Sequence, residues 1–144
     1  MTDRTAAVWT DRDAITGDLA LKALQFVDIN ASLIARSKQP GFDAEREFEE
    51  LAVLFDTERF RRKSKDRAPI DWPNYRPILS NWAAKSSFWY KFKRATQVGH
   101  LAFLELEEHI TLAGAEERVE HTLTAFEFDD AGKMIAVEVY FMIS

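Results

Sequence analysis

Residues 118–143, RVEHTLTAFEFDDAGKMIAVEVYFMI, decide the fold of this chain. The segments 118–128 and 133–143 are rich in β-branched and aromatic residues, and apolar side chains recur at every second position of the later one. Between them, Asp130-Ala131-Gly132-Lys133 is a typical tight-turn sequence. The stretch therefore predicts two antiparallel strands joined as a hairpin.

The alternating pattern begins upstream of this hairpin, near Ser87. FWYKFKRATQV (residues 88–98) and HLAFLELEEHITL (residues 100–112) are two further strand candidates, and Gly99 and Gly114 mark the links that follow them. No helical segment separates the four strands, which excludes an alternating βαβ arrangement. The C-terminal half is therefore predicted to be a four-stranded antiparallel sheet.

The residues before this sheet have helical spacing instead. Apolar side chains of residues 16–37 fall on one stripe, which predicts a first helix ending before Pro40-Gly41. Residues 43–57 predict a second helix and residues 75–85 a third. A short strand is predicted around Phe60. Helices followed by a run of strands predict an α+β fold.

Length and composition limit the class of protein. With 144 residues the chain fits a single domain, residues 1–144, of which the polar residues 1–13 are predicted to form a loose N-terminal arm. A net charge of −5 argues against a nucleic-acid partner. The absence of cysteine excludes disulfides and thiolate chemistry. No apolar run predicts a signal peptide or membrane span, so a cytoplasmic location without a membrane partner is expected.

Two segments resemble the NTF2-like superfamily, in its SnoaL-like, ketosteroid-isomerase-like and limonene-epoxide-hydrolase-like branches. They are ELAVLF at residues 50–55 and FEFDDAGKMIAVEVYF at residues 126–141. The resemblance implies a cone, in which three N-terminal helices pack inside a strongly curved, mostly antiparallel sheet around a central pocket. It also implies a homodimer through the outer face of the sheet. Enzymes and binding proteins share this fold, so the resemblance alone does not assign a reaction.

Glu108 is the sharpest anomaly in the predicted sheet. Alternate positions of residues 104–112 form an apolar row, and Glu108 is its single carboxylate. A carboxyl among leucine and isoleucine side chains has its charged form disfavoured, which raises its pKa toward the range useful for acid–base catalysis. The alternatives are a carboxyl at the wet rim of the sheet or one paired with a cation such as Arg118.

The catalytic positions of the resembled enzymes are mostly changed in this chain. The position of the isomerase's proton-donating aspartate falls on Thr124, and its general base falls near Arg62 or Ser64. Of the epoxide hydrolase's Asp–Arg–Asp set, the arginine falls on Leu106, the first acid on Glu108 and the second acid on Val139. Glu108 is thus the one position where the resemblance keeps an acid.

Other residues are candidates for binding a substrate. Tyr75 is placed with Glu108 and Thr124 in the catalytic group, as a hydroxyl that orients the substrate. Arg62 and Arg76 are candidates for meeting an anionic group, although a surface role is favoured for both. Core packing is favoured for Trp82. The predicted substrate-binding residues are Asp28, Trp72, Leu106, Glu120, Thr122, Val139 and Phe141.

No cofactor or metal is predicted. The three histidines, His100, His109 and His121, form no convincing dyad, and the only grouping of possible ligands is Glu105, Glu107 and His109 on the predicted outer face. Phosphate-binding and dinucleotide-binding motifs are absent.

The leading hypothesis is a cofactor-free, SnoaL-like acid–base enzyme. Its substrate would be an apolar cyclic, polyketide-, terpenoid- or steroid-like small molecule that it isomerises, cyclises, dehydrates or hydrolyses. The alternative is a non-catalytic binding or assembly module with the same fold, or a carrier that releases its ligand unchanged. An open cavity containing Glu108 would favour the enzyme, whereas a cavity plugged by Phe126, Phe141 and Trp82 would favour the module.

Overall fold

A computed structural model describes residues 15–142, so the predicted arm at residues 1–13 lies outside the described residues. The first helix, α1, spans Asp18–Arg36 and buries one apolar stripe, as its spacing predicts. Its N-terminus is capped from the sheet. The Gln97 side-chain oxygen accepts hydrogen bonds from the backbone N–H groups of Leu19 and Ala20, at 2.9 and 3.0 Å. These contacts satisfy two of the free N–H groups of the first turn and fix α1 to the strand that carries Gln97.

The predicted second helix is broken into two short ones, α2 at Ala44–Glu47 and α3 at Glu49–Ala52. The break falls at Phe48, which is fully buried and packs edge-on against Phe42. The segment ends five residues earlier than its helical spacing indicates. The prediction of one helix over residues 43–57 is therefore wrong in its continuity and its end, although Phe48 is buried as expected.

Helix α4 spans Trp72–Lys85, three residues longer at its start than predicted. The Asp71 side chain caps it by accepting a hydrogen bond from the backbone N–H of Asn74, at 3.2 Å. Proline at position 73 suits the first turn, where a backbone N–H has no helical partner. The cap, and not the proline turn, therefore sets the start of this helix.

Six strands form one sheet: β1 Arg61–Ser64, β2 Arg67–Asp71, β3 Ser86–Val98, β4 Leu101–Leu112, β5 Arg118–Phe128 and β6 Met134–Phe141. Their order across the sheet is β2-β1-β6-β5-β4-β3. The last four form the predicted antiparallel run. The β5–β6 hairpin turns where predicted, with Gly132 at φ 77° and Asp129 accepting hydrogen bonds from the N–H groups of Ala131 and Lys133.

Beside the four predicted strands the sheet contains β1 and β2, where a single short strand is predicted around Phe60. Strand β1 pairs in parallel with β6, which makes the sheet mixed, and β2 folds back on β1 as the edge. This pairing brings the basic run of residues 59–67 into the sheet, with Arg62 opposite Val137. The basic run therefore contributes to a hairpin at the edge of the sheet.

The inner and outer faces of the sheet can be assigned residue by residue once its β-bulges are taken into account. The even positions of β4 and β5, including Glu108 and Thr124, face the helices. An extra residue in β6, Ile135, lies at a bulge opposite the Glu127–Phe128 step. A second bulge falls between Phe92 and Arg94 of β3. Along β5 the buried side chains alternate with more exposed ones, so one face of the strand is turned to the core over its buried length.

The core lies between α1, the short helices, α4 and the concave face of the sheet. At one end it is aromatic, with the Phe55 and Phe60 rings stacked at 4.6 Å and Trp72 edge-on to Phe55 at 4.8 Å. Among the helices of residues 15–142, none is both long enough and apolar enough to cross a membrane.

Candidate functional site

A pocket of about 330 Å³ opens beside the core, between α1, α4 and the concave face of the sheet. Most of its wall is apolar. The apolar and aromatic lining residues are Phe26, Val27, Trp82, Phe88, Leu106, Ile110, Phe126, Val137, Val139 and Phe141. Six further residues bring polar groups to it: Asn30, Arg62, Tyr75, Glu108, Arg118 and Thr124. A mostly apolar cavity with a few polar groups is the usual form of a small-molecule site.

Glu108 lines this pocket on the inner face of β4, between the buried side chains of Leu106 and Ile110. Thr122, on the neighbouring strand β5, donates a hydrogen bond from its hydroxyl to Glu108 Oε2 at 2.5 Å. Burial raises the pKa of the Glu108 carboxyl; the hydrogen bond from Thr122 opposes that rise, and the charge of Glu120 adds to it. The neutral acid is therefore favoured at pH values where an exposed glutamate is ionised.

The two alternatives for Glu108 are not realised. Its half-buried side chain lines the pocket, and Arg118 makes its ion pair with Glu120, from Nε to Oε1 at 2.7 Å. Glu120 lies opposite Glu108 across the β4–β5 ladder, so Arg118 neutralises the neighbouring carboxylate and leaves Glu108 with the Thr122 hydroxyl.

Tyr75 lies on α4 and is buried against the pocket. Burial raises the pKa of its hydroxyl, and the nearby Arg62 charge and hydrogen bond act in the opposite direction. The ring of Tyr75 stacks on Phe60 at 5.7 Å, which fixes its orientation. Thr124 lines the pocket from β5, one inward position beyond Thr122. The structure thus places all three predicted catalytic residues in the pocket wall.

Of the predicted substrate-binding residues, Leu106, Val139 and Phe141 line the pocket. Thr122 is fully buried behind Glu108 and reaches the site through that carboxyl.

Asp28, Glu120 and Trp72 are not among the residues that line the pocket. Asp28 accepts a hydrogen bond from the hydroxyl of Tyr90, because the turn of α1 points it toward β3. Glu120 turns to Arg118. Trp72 packs into the aromatic core at the other side of Phe60, since α4 begins early enough to carry it there.

Trp82 is the opposite case, since it lines the pocket where core packing was favoured. Its ring lies 6.3 Å from Phe88, edge to face, on the wall between α4 and β3. Trp82, Phe126 and Phe141 surround the cavity and do not fill it. The pocket is open and contains Glu108.

Arg62 and Asn30 line the pocket although neither is among the predicted substrate-binding residues. A surface role was favoured for Arg62, because its position in the sheet depends on the parallel pairing of β1 with β6. Asn30 lies one helical turn after Phe26 on α1, and that spacing is the signal that places both on one face.

The histidines lie away from the pocket. On the outer face of the sheet, His109 stacks on Trp89 with ring centroids 3.7 Å apart and contacts the carboxylates of Glu107 and Glu117 at 2.6 and 2.8 Å. Burial disfavours the charged imidazole, but the two carboxylates outweigh it, so the pKa of His109 is raised. Within residues 15–142, neither this cluster nor any other group of three or more histidine and carboxylate side chains has an arrangement that could hold a metal ion.

Comparison with known proteins identifies the fold through structure alone. No protein-family model matches the chain, and no curated protein matches it in sequence. A candidate SnoaL-like polyketide cyclase from Shewanella putrefaciens superposes with a TM-score of 0.67 at 8% identity, covering 90% of this chain and 83% of that chain. An LEH-like epoxide hydrolase from M. tuberculosis gives 0.60 at 14% identity, covering 85% and 84%. The chain has the NTF2-like fold.

A third structure with the NTF2-like fold, a protein of unknown function from Exiguobacterium sp. 255-15, gives a TM-score of 0.59 at 10% identity, covering 83% of this chain and 99% of that chain. At these identities the likeness establishes the fold, and the chemistry depends on the residues in the pocket. In this NTF2-like fold the pocket combines one carboxyl, one ion pair, one further arginine and three neutral polar side chains.

Proposed function

We propose that this protein is an acid–base enzyme that converts an apolar cyclic, polyketide-, terpenoid- or steroid-like small molecule, with Glu108 as its general acid and base. The observation that carries the proposal is a single carboxyl on an apolar strand face, hydrogen-bonded to Thr122 and open to a cavity of about 330 Å³. Proton transfer by a positioned side chain requires no cofactor.

The surroundings of Glu108 suit both directions of proton transfer. The protonated carboxyl can donate its proton to a substrate oxygen, such as that of a carbonyl, hydroxyl or epoxide. The carboxylate that remains accepts the hydrogen bond of Thr122, which stabilises the charge. The carboxylate can then take a proton from carbon or from water and return to its starting state. Isomerisation, cyclisation, dehydration and epoxide opening all use such a cycle.

Two neutral hydroxyls in the same wall are suited to orienting the substrate. Thr124 lies on the neighbouring strand opposite Leu104, two inward positions along the sheet from Glu108, and Tyr75 lines the cavity from α4. Both can donate one hydrogen bond to a substrate oxygen. The matching structures support a reaction on small organic molecules, since one is named as a candidate polyketide cyclase and another as an epoxide hydrolase.

Glu108→Gln tests the proposal, because glutamine keeps the size and hydrogen bonding of the side chain but cannot transfer a proton. Glu105→Gln is the matched control, since Glu105 lies on the same strand, faces outward and pairs with Arg94. The substrates are a panel of cyclic epoxides, unsaturated cyclic ketones and aromatic polyketide esters, followed by mass spectrometry. Turnover should fall by about 10²–10⁴-fold in Glu108→Gln and remain within about twofold in Glu105→Gln.

Two results would reject the enzyme. Full turnover by Glu108→Gln would remove the acid–base role of this carboxyl. If the wild-type protein binds panel compounds and converts none of them, the non-catalytic binding module is supported instead. The apolar side chains of Leu106 and Val139 are the features that favour that second reading, because they replace two charged groups of the epoxide hydrolases that the sequence resembles.

A further inference from the structure

Arg62 brings a positive charge to the wall of the pocket. It lies on β1, half-buried, at the position paired with Val137 of β6. Both side chains line the cavity. The half-buried side chain of Arg62 therefore lies against an apolar surface of the pocket.

The recorded partners of Arg62 are neutral. Its Nη1 donates to the backbone carbonyl of Lys63, and its charge lies near enough to the Tyr75 hydroxyl to oppose the rise in the pKa of that group. Among residues 15–142, no carboxylate lies within 4 Å of Arg62. Arg118 differs, because its charge is paired with Glu120. Arg62 is thus the pocket cation whose charge no described carboxylate balances.

Glu108 does not supply the missing negative charge. Burial favours its neutral form, and Arg62 is not among the groups that shift its pKa. In the sheet, β6 and β5 lie between the strand of Arg62 and that of Glu108. Three strand spacings separate the two backbones by about 14 Å along the sheet. The cation and the acid therefore occupy different parts of one pocket.

A partly desolvated cation without a counter-charge carries an electrostatic cost that an anionic ligand group would remove. A guanidinium has five N–H donors, and a carboxylate accepts two of them in parallel. A second observation also indicates a ligand in this pocket, in this case one with a hydrogen-bond donor on the side of α1. The side-chain oxygen of Asn30, which lines the same pocket, is buried and has no hydrogen-bond partner among the described residues.

We propose that the ligand of this pocket is an apolar ring compound that carries a carboxylate, and that Arg62 binds this carboxylate while the rest of the molecule extends toward Glu108. This inference rests on the proposed function only in placing the substrate in the same pocket. It assigns the substrate a charge that the acid–base role of Glu108 does not require. Tyr75 lines the same pocket and can donate a second hydrogen bond to the bound anion.

The test uses two probes that differ only in charge, 1-naphthaleneacetate and 1-naphthaleneacetamide. Their affinities are measured by ¹H–¹⁵N NMR titration, with the amide signals of Val27 and Leu106 reporting occupation of the pocket. The wild-type protein should bind the acid about tenfold more tightly than the amide. In Arg62→Gln this preference should fall to less than about twofold, with the amide affinity unchanged.

Arg61→Gln is the matched control, because Arg61 is the neighbouring residue of β1, is exposed and does not line the pocket. It should keep the tenfold preference. Arg62→Lys keeps the charge and should retain most of it, which separates loss of charge from loss of fold. Equal wild-type affinities for the two probes, no shift of the pocket signals, or an equal loss in Arg61→Gln would overturn the proposal.

The same titration distinguishes this inference from the proposed function. Glu108→Gln should keep the preference for the acid, because its carboxyl is not part of the anion site. A retained preference with full turnover in Glu108→Gln would reject the catalytic role and leave the anion site standing. If the wild-type protein binds both probes equally and turnover is abolished in Glu108→Gln, the anion site is rejected and the catalytic role of Glu108 is kept.

Discussion

Two polar side chains in the pocket are satisfied to different degrees. Glu108 is half-buried and has the hydroxyl of Thr122 as its partner. The side-chain oxygen of Asn30 is buried, but it accepts no hydrogen bond from any described residue. Leaving a buried hydrogen-bond acceptor without a partner costs about 1–3 kcal/mol of folding stability. Such a cost is typical of sites where a protein keeps a group for a ligand at the expense of stability.

Asn30→Leu should therefore stabilise the ligand-free protein, by about 1 kcal/mol, because it replaces an unsatisfied amide with an apolar side chain against Phe26 and Val27. Thermal or urea unfolding followed by circular dichroism measures the change. Asn81→Leu, at an exposed position of α4, is the matched control and should change stability by less than about 0.5 kcal/mol. A clear destabilisation by Asn30→Leu would show that the amide is satisfied in solution.

At this scale the sequence predicted Glu108 correctly as an inward carboxyl, because strand alternation assigns a face without any tertiary information. The partner of Glu108 could not be predicted in the same way. Thr122 reaches it across the β4–β5 ladder, and that contact depends on the register between the two strands. The position of Arg62 in the pocket wall depends on a pairing between strands still farther apart in sequence, β1 and β6, which no local pattern encodes.

At the scale of elements, the long strands and α1 were predictable, since each has a sustained period. The β5–β6 hairpin in particular carries its turn in four residues around Gly132. The edge hairpin of β1 and β2 was not predicted as such, because the strands RRKS and RAPID are short, polar and without alternation. The second helix was predicted to be too long, since the apolar spacing continues past the point where the structure leaves the helix. The helix is interrupted at the buried Phe48 and ends at Ala52.

The bulges explain why two strands were hard to sort by face. Ile135 is the extra residue of β6, so Met134 and Val137 are both buried although they are three positions apart. A strict period of two cannot describe that strand. The apolar row predicted from Ile135 onward is therefore correct from Val137 to Phe141 and wrong at its first residue, while Ile143 lies outside the described residues.

At the scale of the whole molecule, the outer face of the sheet leaves large apolar side chains in water. Trp89, Val119 and Tyr140 are each close to half exposed. They lie among ion pairs such as those of His109 and Arg94, so the face combines apolar and charged groups. Exposed apolar groups rimmed by polar ones are typical of an interaction surface. We expect this face to form a homodimer.

Sedimentation velocity at micromolar concentration should then show a species of twice 16.6 kDa. Val119→Glu should weaken the association by about tenfold or more, because it buries a charge in the interface. Leu21→Glu is matched to it, since Leu21 is also 46% exposed but lies on α1, away from the sheet's outer face. A single 16.6 kDa species for the wild-type protein, or equal effects of the two variants, would refute the dimer.

Glu108 should behave as an acid in an apolar pocket, and its titration measures this directly. The titration is followed by ¹³C NMR of the labelled glutamate carboxyls, and the Glu108 signal is assigned from its absence in Glu108→Gln. Burial predicts a midpoint above the ordinary value of 4.5, so Glu108 stays neutral as pH rises past the point where exposed glutamates ionise. Glu105, held by the Arg94 hydrogen bond, should titrate below 4.5 in the same spectra. A Glu108 midpoint at or below 4.5 would contradict the account.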